Sequence, residues 1–361
     1  MIVDIVQRIP VMKPLLPTAE AIFPFLKKID DSRMYSNFGP VEHELTQRLA
    51  NYFNVDFENV LLVASGTLAL QAAVATGSIT GSRWIVPSWT FVATAQAILL
   101  AGSTVEFEDV DVNLWSLNPD QSRDVDGVMT VAPFGGQVRI EDWISESSER
   151  PVIIDAASCF DACRDLSSVQ QNNVAVMVSL HATKLVTTGE GGVIVGPRAW
   201  ISEMKRWINF GFLGDRKASR TGTNAKLSEY QAAIGLASLA QWDRAREEWS
   251  VRIKKLRDNF ADQNISVQPA AGQGYVTSTL VALFKTAAEK SEARLRLDAN
   301  NIESRDWWGS GVHMEPAFES SLLVSPRNLV VTDDLAARTL GVPLYVDMSA
   351  QDIDRILFAL S

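Results

Sequence analysis

Residues 179–192 read SLHATKLVTTGEGG, which sets a lone lysine, Lys184, between an apolar run and a glycine-rich turn. The run before it, VAVMVS (174–179), has the composition of a buried strand, and GGVIV (191–195) predicts the next one. Between two buried strands a lysine is costly. Burial disfavours the ammonium and lowers its pKa, so such a lysine is either paired with a carboxylate or kept as a neutral nucleophile.

Outward from this point, short β-branched runs recur: NVLLVA (59–64), RWIVPS (83–88), TVEFEDV (104–110), GVMTVAPF (127–134) and PVIID (151–155). Helix-like or turn-rich segments separate most of them. This rhythm predicts an α/β fold, a mainly parallel sheet with helices on both faces and ligand sites at the carboxyl ends of its strands. In GPVEHELTQRLANYF, Val41, Leu45, Leu49 and Phe53 repeat in four-residue steps behind Pro40, which predicts a helix over 40–53. Helical spacing also runs through Leu236, Leu239, Trp242, Ala245, Trp249, Ile253, Leu256 and Phe260, as one long helix bridging two domains. Beyond it lie YVTSTLVALF (275–284), DWWGSGVHMEPAF (306–318) and AQDIDRILFAL (350–360). The expected division is a large α/β domain over 1–240 and a small C-terminal α+β domain over 241–361.

Composition fits that size. The 361 residues are 47% hydrophobic and 21% charged, as in soluble globular proteins with room for two domains. A formal net charge of −10 argues against nucleic acid or an anionic membrane surface as partner. No apolar stretch is long enough to span a bilayer, and Asp4, Arg8, Pro10 and Lys13 interrupt the N-terminal segment before a signal-peptide core forms. The expected location is cytoplasmic, where Cys159 and Cys163 stay reduced. They are read as small buried residues, and no metal is expected.

Common catalytic signatures are missing: no G-x-G-x-x-G follows a strand, and there is no G-x-x-x-x-G-K-[ST], H-E-x-x-H or G-x-S-x-G. Of the three histidines, His43 falls on the exposed side of the first helix and is assigned no role. Four other features converge on one sheet edge. Ser65, Gly66 and Thr67 stand where a strand passes into a helix, where backbone N–H groups and a hydroxyl suit an anion, although such residues also serve as plain N-caps. Asp155 ends the strand PVIID, as a helix cap or as partner of a protonated ring nitrogen. Phe91 follows another strand, packing in the core or stacking on a planar ligand. Lys184 completes the set. A phosphate cradle, a stacking ring, an acid for a pyridinium and a Schiff-base lysine together meet the needs of pyridoxal 5′-phosphate (PLP).

At this point the chain resembles the DegT/StrS (DegT/DnrJ) family of PLP-dependent sugar aminotransferases, which have the type I aminotransferase fold. The resemblance rests on NFGPVEHELTQRLANYF, SGTLALQAA, VPSWTFVATAQAILLAGSTVEFEDVD, IIDAASCFDA, SLHATKLVTTGEGG and GTNAKLSEYQAAIGLASL. It implies that Lys184 forms the internal aldimine and that Asp155 pairs with the pyridine nitrogen. It further implies that Ser179, Gly66 and Thr67 hold the phosphate and that Phe91 stacks on the ring. Asn224 matches an asparagine that reaches the neighbouring subunit's cofactor, which implies a homodimer with shared active sites.

The chain also departs from the family pattern. Ser158 stands where the family usually has glutamine or histidine touching the cofactor. Ala225 and Lys226 replace a common Tyr-Arg pair, and WWGSGVHMEP replaces a proline-leucine-histidine run. By the resemblance, His181 lies beside the pocket as a substrate contact or loop support, and His313 is a further candidate substrate contact. Trp307 and Trp308 are read as domain-interface packing, with stacking on a sugar or base as the other use. The implied reaction is ping-pong transamination from L-glutamate to a nucleotide-linked keto sugar, a 3- or 4-keto-deoxyhexose. The alternatives are a non-sugar ketone, a sugar dehydratase, which in this family carries histidine at the lysine position, and a non-catalytic regulatory relative.

Overall fold

Seven strands form one sheet: β1 (Val60–Val63), β2 (Arg83–Pro87), β3 (Thr104–Glu108), β4 (Gly127–Val131), β5 (Val152–Asp155), β6 (Val174–Ser179) and β7 (Gly192–Val195), in the order β1-β7-β6-β5-β4-β2-β3. The computed structural model describes residues 7–121, 124–321 and 328–361, so Asp4 lies outside the described residues. Strands β2 to β6 pair in parallel, and β7 runs antiparallel to both of its neighbours. Val63 and Ser179 both face Gly192 across β7. The carboxyl end of β1 therefore meets the same sheet edge as those of β4, β5 and β6.

The sheet is apolar on both faces, as expected for strands covered by helices on either side. Successive residues alternate between two cores: Ile153, Met177 and Ile194 belong to one, Ile154, Val176 and Val195 to the other. Helices α1 (Ala19–Ser32), α2 (Pro40–Phe53), α3 (Gly66–Gly77), α4 (Val92–Leu100), α5 (Ile140–Ser147), α6 (Arg198–Trp207), α7 (Glu229–Ala240) and α8 (Trp242–Asp262) follow in chain order. Of these, α3, α4 and α6 supply the first core and α2, α5, α7 and α8 the second.

Helix α2 spans the expected 40–53, with Val41, Leu45, Leu49 and Phe53 buried. Pro40 opens it, and the buried Glu229 carboxylate accepts the N–H groups of Val41 and Glu42 at 2.8 and 3.0 Å, capping donors that have no partner within the helix. The long helix expected from Leu236 to Phe260 is instead two. Helix α7 begins at Glu229 under a Ser228–Gln231 capping box and ends at Ala240, and Gln241, at φ −99° and ψ −1°, is the joint from which α8 starts. Trp242, opening α8, is buried edge-on against Phe160 at 5.3 Å. Apolar spacing runs unbroken through the joint, so periodicity alone does not register the turn.

A second, antiparallel sheet of β8 (Ser266–Val267), β9 (Leu280–Leu283) and β10 (Thr339–Val342) is flanked by α9 (Ala287–Ala299), α10 (Val330–Arg338) and α11 (Ala350–Leu360). The N-terminal segment joins it: the Ile9 N–H donates to Asn301 O, and the Leu344 N–H donates to Val11 O. Residues 12–17 thereby reach the edge of the main sheet as a strap. Among the described residues, no helix is long and apolar enough to cross a membrane.

Candidate active site

A cavity of about 400 Å³ opens at the carboxyl ends of the strands, where ligands bind in such sheets. Ser65, Gly66, Thr67, Phe91, Asp155, Ser158, Ser179, His181 and Lys184 all line it. The loops after β1, β2, β5 and β6 thus bring together residues spread from Ser65 to Lys184 of the sequence.

At the start of α3, Ser65 Oγ accepts the Leu68 N–H at 3.2 Å, which leaves the N–H groups of Gly66 and Thr67 free of that cap. A Cβ on Gly66 would stand 3.0 Å from Met177 Sδ, so glycine lets this helix terminus sit directly against β6. Ser179, at the end of β6, adds a hydroxyl. Together they form an anion cradle.

Asp155 is 5% exposed. Its Oδ2 accepts from Thr94 Oγ1 at 2.7 Å and its Oδ1 from the Ala157 N–H at 3.1 Å. Burial pushes its carboxyl pKa up, against those two hydrogen bonds and the Lys184 charge. Lys184 shows the converse: burial pulls its ammonium down, opposed by Asp155. Its Nζ donates to Ser158 Oγ at 2.8 Å. The acid and the amine therefore share one desolvated site, each favouring the other's charge.

Thr94 escaped the reading of sequence. A hydroxyl in the first turn of a helix that opens on the ligand edge was the available signal, but nothing local pairs it with a residue 61 positions away.

Phe91 caps α4 and is 55% exposed, so it is a rim residue and not core packing. Trp307 and Trp308 line the cavity and also pack: Trp308 stacks on Phe134 at 3.8 Å and meets Trp89 edge-on. His181 Nδ1 lies 2.9 Å from Thr183 Oγ1, and its Nε2 lies 3.5 Å from Glu190.

Two candidates stand outside this cavity. His313 is packed against Phe107, with Nδ1 buried and unpartnered, and burial lowers its pKa. Asn224 is exposed, and its Oδ1 accepts from Lys226 Nζ at 2.7 Å. Cys159 and Cys163 are buried free thiols, and burial pushes Cys159 up to about 12.

An anion cradle, a rim aromatic, a buried carboxylate and a depressed lysine fit a phosphorylated pyridine aldehyde. The comparisons agree. The model of the DegT/DnrJ/EryC1/StrS aminotransferase family matches residues 18–361. The dTDP-4-amino-4,6-dideoxy-D-glucose transaminase of Shigella dysenteriae is 31% identical over 364 residues, covering 96% of each chain. The structure of DesI with its TDP-sugar product superposes with a TM-score of 0.85 at 26% identity, covering 98% of this chain and 92% of that one. A Bacillus cereus structure provisionally assigned as a PLP-dependent aminotransferase gives 0.86 at 26% identity, over 98% and 100%. The chain belongs to the DegT/DnrJ/EryC1/StrS family and is a PLP-dependent aminotransferase.

Proposed function

We propose that the chain transfers an amino group from L-glutamate to a keto sugar carried on a nucleoside diphosphate, a 3- or 4-keto-deoxyhexose. The carrying observation is the meeting of Lys184 and Asp155 in one cavity beside the α3 terminus. The relatives support the substrate class, since one is a dTDP-sugar transaminase and another was solved with a TDP-sugar product.

In this reading the N–H groups of Gly66 and Thr67 and the hydroxyl of Ser179 hold the cofactor phosphate, and Phe91 covers the ring. Bound there, PLP supplies an electron sink that acidifies the hydrogen on the nitrogen-bearing carbon. Asp155 offers Oδ to the protonated ring nitrogen, held on line by Thr94 and the Ala157 N–H. Lys184 is the covalent anchor between turnovers. Once freed, its desolvated amine takes the proton from the substrate carbon and returns it on the cofactor side. Asn224, exposed, and Lys226, half-buried, both lie outside their own chain's cavity and are assigned to the cofactor phosphate of a second copy. That makes the active form a homodimer with shared sites.

The test is the visible absorbance of the purified protein before and after L-glutamate. A yellow band that bleaches supports both the cofactor linkage and the donor. A yellow band untouched by glutamate overturns that donor. A Lys184→Ala protein that transaminates at the wild-type rate overturns the assignment of the lysine.

A further inference from the structure

A second cavity, of about 440 Å³, adjoins the first. The N-terminal strap, the lysine loop, the α7–α8 junction and residues 344–346 bound it, and Met12, Thr183 and Lys184 line both cavities. Lys184 thus stands at the boundary between two spaces, and the function proposed above uses one of them.

Charge indicates what the other receives. Among the described residues, Lys184 is the single lysine or arginine lining the cofactor cavity, beside the acids Asp155 and Glu190. Both substrates proposed above carry an anion away from the reacting carbon: the diphosphate of the sugar nucleotide and the distal carboxylate of glutamate. Lys184 is committed to the reaction, so the cations that meet these groups lie elsewhere. The second cavity supplies Lys13 and Arg244. Lys13 now contacts Asp347 at 2.5 Å and Arg244 contacts Glu248 at 3.4 Å, with the cationic side chains 54% and 88% exposed. Exposed pairs of this kind are weak, and an entering anion displaces the carboxylates readily.

A second observation is independent of charge. Ser278 also lines the cavity, is 2% exposed, and its Oγ has no hydrogen-bond partner. Buried hydroxyls are almost always satisfied, so an unpaired one facing a cavity marks the place of a missing polar group.

We propose that the second cavity is the subsite for the anionic tail of the substrate, with Lys13 and Arg244 as its cationic contacts and Ser278 as a hydrogen-bond partner. The assignment rests on the proposed transamination, because the tail is measured from a carbon reacting at Lys184. A diphosphate and a carboxylate share the required chemistry, and the experiment separates them.

The PLP-loaded protein and its Lys13→Gln, Arg244→Gln and Ser278→Ala variants are compared by two readouts. One is calorimetric binding of thymidine, uridine and guanosine diphosphates, and the other is the glutamate concentration that half-bleaches the yellow band. A diphosphate subsite weakens nucleotide binding about tenfold in each charge variant and leaves the glutamate dependence alone. A carboxylate subsite gives the reverse. Ser278→Ala follows whichever is affected while keeping the wild-type melting temperature. If neither readout moves in any variant, or if no diphosphate binds and the glutamate dependence is unchanged, the subsite is overturned while the transaminase reading stands. A wild-type protein that glutamate does not bleach overturns that donor alone, and nucleotide binding still reads the subsite.

Discussion

Lys184 Nζ sits 2.8 Å from Ser158 Oγ, with the carboxylate of Asp155 in the same cavity. A serine hydroxyl accepts from an ammonium and, by rotating, donates to the lone pair of a neutral amine. It therefore holds the lysine in place in both protonation states, which a proton-carrying amine requires. Ser158 is thus the lysine's own hydrogen-bond partner.

Ser158→Ala is expected to remove an acceptor that favours the ammonium and so to lower the Lys184 pKa beyond what burial already does. Hydrogen bonds to charged groups are worth about 1.5–3 kcal/mol, so losing this one is large enough to move the titration visibly. Asp155, Cys159, His181 and Glu190 face the same space and are unchanged in the variant. The rate at which apoprotein takes up PLP, followed by the yellow band against pH, is expected to keep its shape with the acid limb moved to lower pH. Ser158→Thr restores the wild-type limb. An unmoved limb in Ser158→Ala removes the positioning role.

Thr94 makes a parallel case on the acid side. Its hydroxyl donates to Asp155 Oδ2 at 2.7 Å, which favours the carboxylate against the pull of burial. Thr94→Val removes that donor, raises the Asp155 pKa, and is expected to move the acid limb of kcat to higher pH with a loss of about tenfold at neutral pH. Asp155→Asn removes the charge itself and is expected to cost about 10²–10³ in kcat. Equal losses in the two variants would show that Thr94 does more than support Asp155.

The strand rhythm, the helix over 40–53 and the clustering of Gly66, Thr67, Phe91, Asp155 and Lys184 were legible because each rests on local chemistry: burial runs, turn residues and strand ends; Ser179 was reached only through the family resemblance. The break at Gln241 was not, since apolar positions keep helical spacing on both sides of it. Pairings across the fold were hidden for the same reason. Thr94 with Asp155, Lys184 with Ser158 and the strap over 12–17 beside the lysine loop are set by which strands become neighbours, and residue spacing does not encode that order. His313 shows the opposite failure, a residue type suggestive of chemistry that packing carries away from the cavity.

Glu42 offers a test of stability away from the site. It is 5% exposed on α2, and burial raises its carboxyl from the usual 4.5 to about 7, with Lys205 and Thr46 opposing and Glu229 assisting. The folded state then binds more protons than the unfolded one between those two values, so stability falls as pH rises through the window, by up to about 3 kcal/mol. Glu42→Gln keeps the shape and an acceptor for Thr46 without the charge. Its melting temperature is expected to exceed that of the wild type at about pH 8 and to match it at about pH 4. A variant less stable than the wild type at the higher pH would mean that the charge is stabilised in the fold.

The shared-site reading is tested by mixing lesions. Asn224 lies outside the cavity of its own chain and is exposed beside Lys226, whereas Lys184 lines that cavity. If Asn224 serves the partner's cofactor, a dimer of one Lys184→Ala chain and one Asn224→Ala chain places both lesions in a single site and leaves the other site whole. Co-refolded mixtures are then expected to regain up to about a quarter of wild-type activity: random pairing makes roughly half the dimers mixed, and each of these has one intact site of two. Each homodimer alone stays impaired. Mixtures no more active than the average of the two variants would place Asn224 and Lys184 in service of the same chain's site, or Asn224 in none.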